Sequence, residues 1–143
     1  MKTENITPIH CMGFYLYAFG HQTDEKMHYM EKAQWWAQLK NYAMGTPWED
    51  ERLPFNPLAD EVIDWYEDVC ELGDEEMKKT LDYCMHKING YFNEQSAVES
   101  KAGKMRFIGE LIDMAKIDGE IKESEKAWLN NISNVLEVET PDV

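Results

Sequence analysis

Apolar residues recur along most of this chain at the three-and-four spacing of helical faces. Ile108, Leu111, Ile112 and Ala115 follow i, i+3, i+4, i+7, and the pattern resumes at Trp128, Leu129, Ile132, Val135 and Leu136. Upstream, Met77, Leu81, Cys84, Ile88 and Tyr91 stand at steps of four, three, four and three, and Val62, Trp65, Tyr66, Val69 and Cys70 form another stripe. The first helix is expected from about Ile9 to Phe19, almost wholly apolar over Met12–Phe19 and therefore central to the core. A second runs to about Met44, ended by Gly45, with Trp35, Leu39, Tyr42 and Ala43 on one face. The expectation is an all-α single domain over residues 1–143, a bundle of six to seven helices in stacked helix-turn-helix hairpins, with 1–8 and 138–143 as frayed ends.

Breakers and caps place the boundaries. A turn is expected at Gly20-His21-Gln22, with Thr23 as N-cap of the second helix and Lys26 where a capping-box glutamate would stand. Thr46 to Pro57 carries Pro47, Pro54 and Pro57, which exclude a continuous helix, and Asn56-Pro57 reads as cap followed by the first helical position. Gly73 ends the third helix and Asp74 is expected to cap the fourth, which finishes near Gly90 and Asn93. Gln95 to Lys104 is polar and reads equally as a short helix or an extended approach to the next helix. Adjacent Trp35 and Trp36 point about 100° apart on a helix, so either that helix is buried on a wide arc or one indole is exposed.

Twenty-eight acidic residues against fourteen basic give a net charge of −14, which repels phosphate backbones and anionic lipid surfaces. Direct nucleic-acid binding and membrane insertion are therefore not expected. A protein partner, a cation or plain solubility is what such a charge favours. No run of 18 apolar residues occurs and the first residues lack a signal-peptide layout, so the expected location is cytoplasmic. Cys11, Cys70 and Cys84 are odd in number and widely spaced, which fits a reducing compartment rather than a disulfide framework; Cys70 and Cys84 fall on apolar faces and are expected to be buried.

The sharpest local signal is Ala115-x-x-Asp118-Gly119-Glu120-Ile121-x-x-x-Glu125 between two helical faces. Gly119 suits the left-handed conformation that ends a helix, and Glu125 stands where an N3 carboxylate reaches back to a free amide. The segment resembles the signature of the TerB-like (tellurite-resistance protein B-like) family, over roughly the last 35 residues. That resemblance implies an acidic helical domain linked to metal-stress responses, with acidic residues as cation ligands and no settled reaction. Helix one, its turn and helix two read as a worn copy of the same unit, with Ala18-Phe19-Gly20-His21 standing where Ala115 to Asp118 stand, but without an Asp-Gly pair.

Asp113, Asp118, Glu120 and Glu125 are the candidate metal ligands, with Glu110 and Glu123 nearby; converging carboxylates suit calcium or magnesium. The same acids equally serve as partners of a helix dipole and of turn amides. A calcium EF-hand loop is excluded by counting: with Gly119 at position six, positions one and three are Met114 and Lys116, which offer no hard oxygen ligands. His10-Cys11 and Cys84-Met85-His86 do not match zinc spacing, because the first pair is adjacent. No nucleophile elbow, phosphate loop, dinucleotide fingerprint or His-Glu-x-x-His is present. The expected function, as the resemblance implies, is non-enzymatic, with no cofactor beyond a divalent cation: an acidic domain acting through protein contacts in a stress-response or membrane-associated complex. The alternatives are a metal-free acidic protein that mimics nucleic-acid charge to occupy a basic partner, and an acid–base enzyme.

Overall fold

A helix that is apolar on every side must be surrounded, and here that dictates the architecture. The computed structural model describes residues 6–24, 29–43, 55–116 and 121–139. They form six helices, α1 (Pro8–Asp24), α2 (Tyr29–Ala43), α3 (Phe55–Leu72), α4 (Asp74–Asn93), α5 (Ala97–Ala115) and α6 (Glu123–Leu136), with no strand among the described residues. Every residue from Ile9 to Phe19 is buried, and α1 packs against all five other helices.

Aromatic rings fill the space around α1. Phe14 lies 4.4 Å from Trp65 and 5.5 Å from Tyr66, and Tyr17 lies 5.0 Å from Trp35 and 4.9 Å from Tyr66, centroid to centroid. Such pairs add about 0.5–1.5 kcal/mol each beyond the area they bury. Gly13 lets α2 and α3 approach closely, since a Cβ there would sit 3.0 Å from Leu39 Cδ1 and 3.3 Å from Val62 Cγ2. The indole Nε1 of fully buried Trp35 donates to the Gly13 carbonyl at 2.7 Å. Trp36 beside it is 41% exposed, so one tryptophan faces the core and the other faces solvent.

Several boundaries differ from the sequence expectation. The turn expected at Gly20-His21-Gln22 is absent: α1 continues to Asp24, so Thr23 lies inside it and α2 begins at Tyr29. Gly20 is buried, and tertiary packing has overridden a locally weak helical sequence. The α3 helix begins at Phe55 rather than after an Asn56 cap; Pro57 then lies in the first turn, where the missing amide needs no partner. Asp74 is the first helical residue of α4, not its cap; Gly73 takes that place with φ 104°, and Asp74, Glu75 and Glu76 face the positive end of the dipole. The polar stretch after Gln95 is helical, capped by Ser96 Oγ accepting from Glu99 N at 3.2 Å.

Burial departs at three further places. Cys70 is exposed, because one step beyond Val69 carries it past the arc defined by Val62, Trp65 and Tyr66. Val135 is 44% exposed, and the small, fully buried Ser133 occupies the core face instead. Ile6 and Val138, expected within frayed ends at 1–8 and 138–143, both pack against the core, and residues 1–5 and 140–143 lie outside the described residues. Thr7 and Pro8 begin α1 in the favoured cap-then-proline order. The connector around Trp48 and the Gly45 stop lie outside the described residues.

Candidate functional site

Of the four expected ligands, the structure places two. Glu125 is 2% exposed at the start of α6, and its Oε1 accepts from the Lys122 backbone amide at 2.8 Å, the reach-back bond expected from its N3 position. Asp113 is exposed on α5, and Glu123 points to solvent 3.5 Å from Lys126 Nζ. Asp118 and Glu120, with Gly119 between them, lie outside the described residues. Among the described residues no group of three or more His, Cys, Asp or Glu is placed to hold a metal ion.

The neighbouring acid Glu110 is held differently. Gln38 Nε2 donates to the Glu110 carbonyl at 2.9 Å, tying α2 to α5. Glu110 Oε1 lies 3.3 Å from Arg106 Nε, while Oε2 is buried with no hydrogen-bond partner. Burial pushes the carboxyl up to about 7, with the Arg106 guanidinium opposing.

The residues considered for zinc are committed elsewhere. His10 is 1% exposed, and the Thr7 backbone amide donates to its Nδ1 at 3.2 Å. An amide can only donate, which puts the proton of the neutral ring on Nε2, where it is given to Glu61 Oε2 at 2.9 Å. The His10 side chain thereby completes the cap of α1 and links it to α3. Cys11 and Cys84 are both fully buried, and burial, with the Cys11 thiol adding to it, pushes the Cys84 thiol well up.

A second acidic feature emerges on α3, one that the sequence analysis passed over. Asp60, Asp64, Glu67 and Glu71 are all exposed and stand at steps of four, three and four, a single line of carboxylates about 16 Å long at 1.5 Å per residue. None has an ion-pair partner among the described residues. The helix has no acid in its first turn and no base in its last, so Glu67 and Glu71 sit at the end where its dipole disfavours them. The signal was readable as i, i+4, i+7, i+11 spacing but was submerged in the overall charge.

On another face of α3, roughly a third of the way round the helix and with none of these four acids in its lining, an open groove of 390 Å³ runs between α3 and α4. Trp65, Val69, Leu72 and Tyr83 line it with Asp68 and Glu76, and Leu72 and Tyr83 are 69% and 40% exposed. No family model, curated protein or solved structure matches the chain. Among the described residues no helix is long and apolar enough to cross a membrane.

Proposed function

We propose that this chain is a non-enzymatic acidic domain of the TerB-like kind that works by holding a basic, amphipathic segment of a partner protein against α3. The observation that carries this reading is the line Asp60, Asp64, Glu67 and Glu71, without an ion-pair partner among the described residues, on the same helix whose next face opens the groove at Leu72 and Tyr83. Like charges three and four apart on a helix destabilise it by about 0.2–0.5 kcal/mol per pair. Acids kept at the unfavourable end of a dipole thus work against the fold, and a basic partner would relieve both penalties while its apolar side chains cover the groove.

The test uses a designed amphipathic helix of lysine and leucine as probe. Its affinity should fall with added salt and fall at least tenfold more in Asp64→Asn/Glu67→Gln/Glu71→Gln than in Glu94→Gln/Glu99→Gln/Glu123→Gln, which removes the same charge elsewhere. Equal losses in both variants would reduce the interaction to net charge and sink the proposal. A nucleic-acid mimic would use the same line of acids without the groove. Leu72→Asp separates the two, since it weakens a groove-dependent partner while its added negative charge does not weaken a purely charge-led one.

Cation binding belongs to this reading through the TerB-like resemblance. Calcium or magnesium at the turn would be held by Asp118 and Glu120, with Asp113 at its edge and the Glu125 Oε2 remaining after Oε1 has capped α6. Bound there, it would neutralise repelling carboxylates and tighten the α5–α6 corner. Thermal unfolding after chelator treatment should show a metal-dependent rise in Tm that Asp118→Asn/Glu125→Gln abolishes. Wild type showing no rise with calcium, magnesium, manganese or zinc would leave the turn as capping architecture.

A further inference from the structure

In a chain with twice as many acids as bases, one lysine is buried with no carboxylate partner among the described residues. Lys104 on α5 is 8% exposed, and its Nζ donates to Asn93 Oδ1 at 2.8 Å, its one partner among the described residues. Asn93 is oriented for this by its own amide, whose Nδ2 donates to Asn89 Oδ1 at 3.3 Å. An ammonium has three donors, and burying it with a single neutral acceptor is unfavourable unless something completes the set.

What Lys104 faces is an open cleft of 780 Å³ at the end of the bundle where α4 and α6 finish and α5 begins. One wall carries Lys104, Lys101 and Ser100, and the other carries Glu137 and Glu139. Glu137 has φ 59°, the left-handed position after a helix where glycine is favoured, so a carboxylate is kept where the backbone would prefer no side chain. The cleft therefore offers a positive wall opposite a negative one, with Ala97, Met105 and Val138 also in its lining.

We infer that this cleft binds a small zwitterion of the amino-acid class, its carboxylate on Lys104 and Ser100 and its ammonium toward Glu137 and Glu139. A plain anion would meet the repulsion of the two glutamates, and a plain cation that of the two lysines. A ligand carrying both charges satisfies each wall and completes the donor set of the buried ammonium.

The experiment is a thermal-shift screen of the twenty standard L-amino acids, followed by calorimetric titration of the best one. At least one should raise Tm and bind, and its N-acetyl and carboxamide derivatives should each lose at least tenfold in affinity. Lys104→Met should lose at least tenfold as well. Glu137→Gly should raise Tm without ligand, by supplying the favoured glycine, and yet weaken binding. If Lys104→Met does not unfold cooperatively, Lys101→Met and Glu137→Gly, both at exposed positions, decide the matter. No binding by any amino acid, or binding that the derivatives and variants leave unchanged, overturns the inference.

Discussion

The sequence makes helix one, its turn and helix two a worn copy of the α5–α6 unit, yet α1 and the α5–α6 corner are built on opposite plans. α1 is enclosed on every side and held by ring packing, with one buried indole bonded to its backbone. The α5 and α6 helices bury one face each, and polar bonds set their ends: Ser96 caps α5 and Glu125 caps α6. Where the motif comparison placed a turn, at Gly20, α1 continues, whereas α5 ends helically at Ala115. Enclosure lets a helix run through weak local sequence, while an exposed helix stops where its own residues say so.

Trp35→Ala should break the enclosed half most severely. Removing a fully buried indole that also bonds the Gly13 carbonyl is expected to cost about 3–5 kcal/mol in urea denaturation. A loss below about 1 kcal/mol would show that α1 does not depend on α2.

Gly103→Ala probes the packing of α5. A Cβ there would sit 2.6 Å from Phe92 Cε1, and overpacking of this kind costs about 1–3 kcal/mol, more than the helix-propensity gain. Phe92→Leu in the same chain should recover part of it. A net gain from Gly103→Ala alone would mean that the ring swings aside freely.

Glu125→Ala sharpens the comparison at the polar corner. Losing the bond to the Lys122 amide should cost about 1 kcal/mol and loosen hydrogen-exchange protection in the first turn of α6 while α1 stays protected.

A further effect is one of pH. The Glu110 carboxyl titrates near 7 in the fold against its ordinary 4.5, so the folded state holds this proton more tightly. Its contribution to stability is complete below about 4.5 and is lost as pH rises through 7. Glu110→Gln should therefore unfold at a higher temperature than wild type at pH 8 and at the same temperature near pH 4. A pH-independent difference would contradict the assignment.

The helices were legible because their core faces repeat at three and four, and the Glu125 cap because N3 glutamate spacing is local chemistry. What escaped was set by neighbours distant in sequence. The continuation of α1 depends on what surrounds Gly20, and the exposure of Cys70 on how wide an arc α3 buries. The partnering of His10 by Glu61 joins residues 51 apart. Lys104 stood in the sequence only as the end of a polar stretch, and its burial depends on Asn93, eleven residues away, and on the helix ends around it.

The central claim is that the α3 acids serve a partner at the expense of the fold, and one paired measurement on Asp64→Asn/Glu67→Gln/Glu71→Gln tests it most directly. Stability and affinity for the lysine–leucine helix are determined on the same preparation at low salt. The account predicts that stability rises, as like-charge repulsion and the opposed dipole are relieved, while affinity falls at least tenfold. A variant that is less stable, or that binds the probe as wild type does, would contradict it.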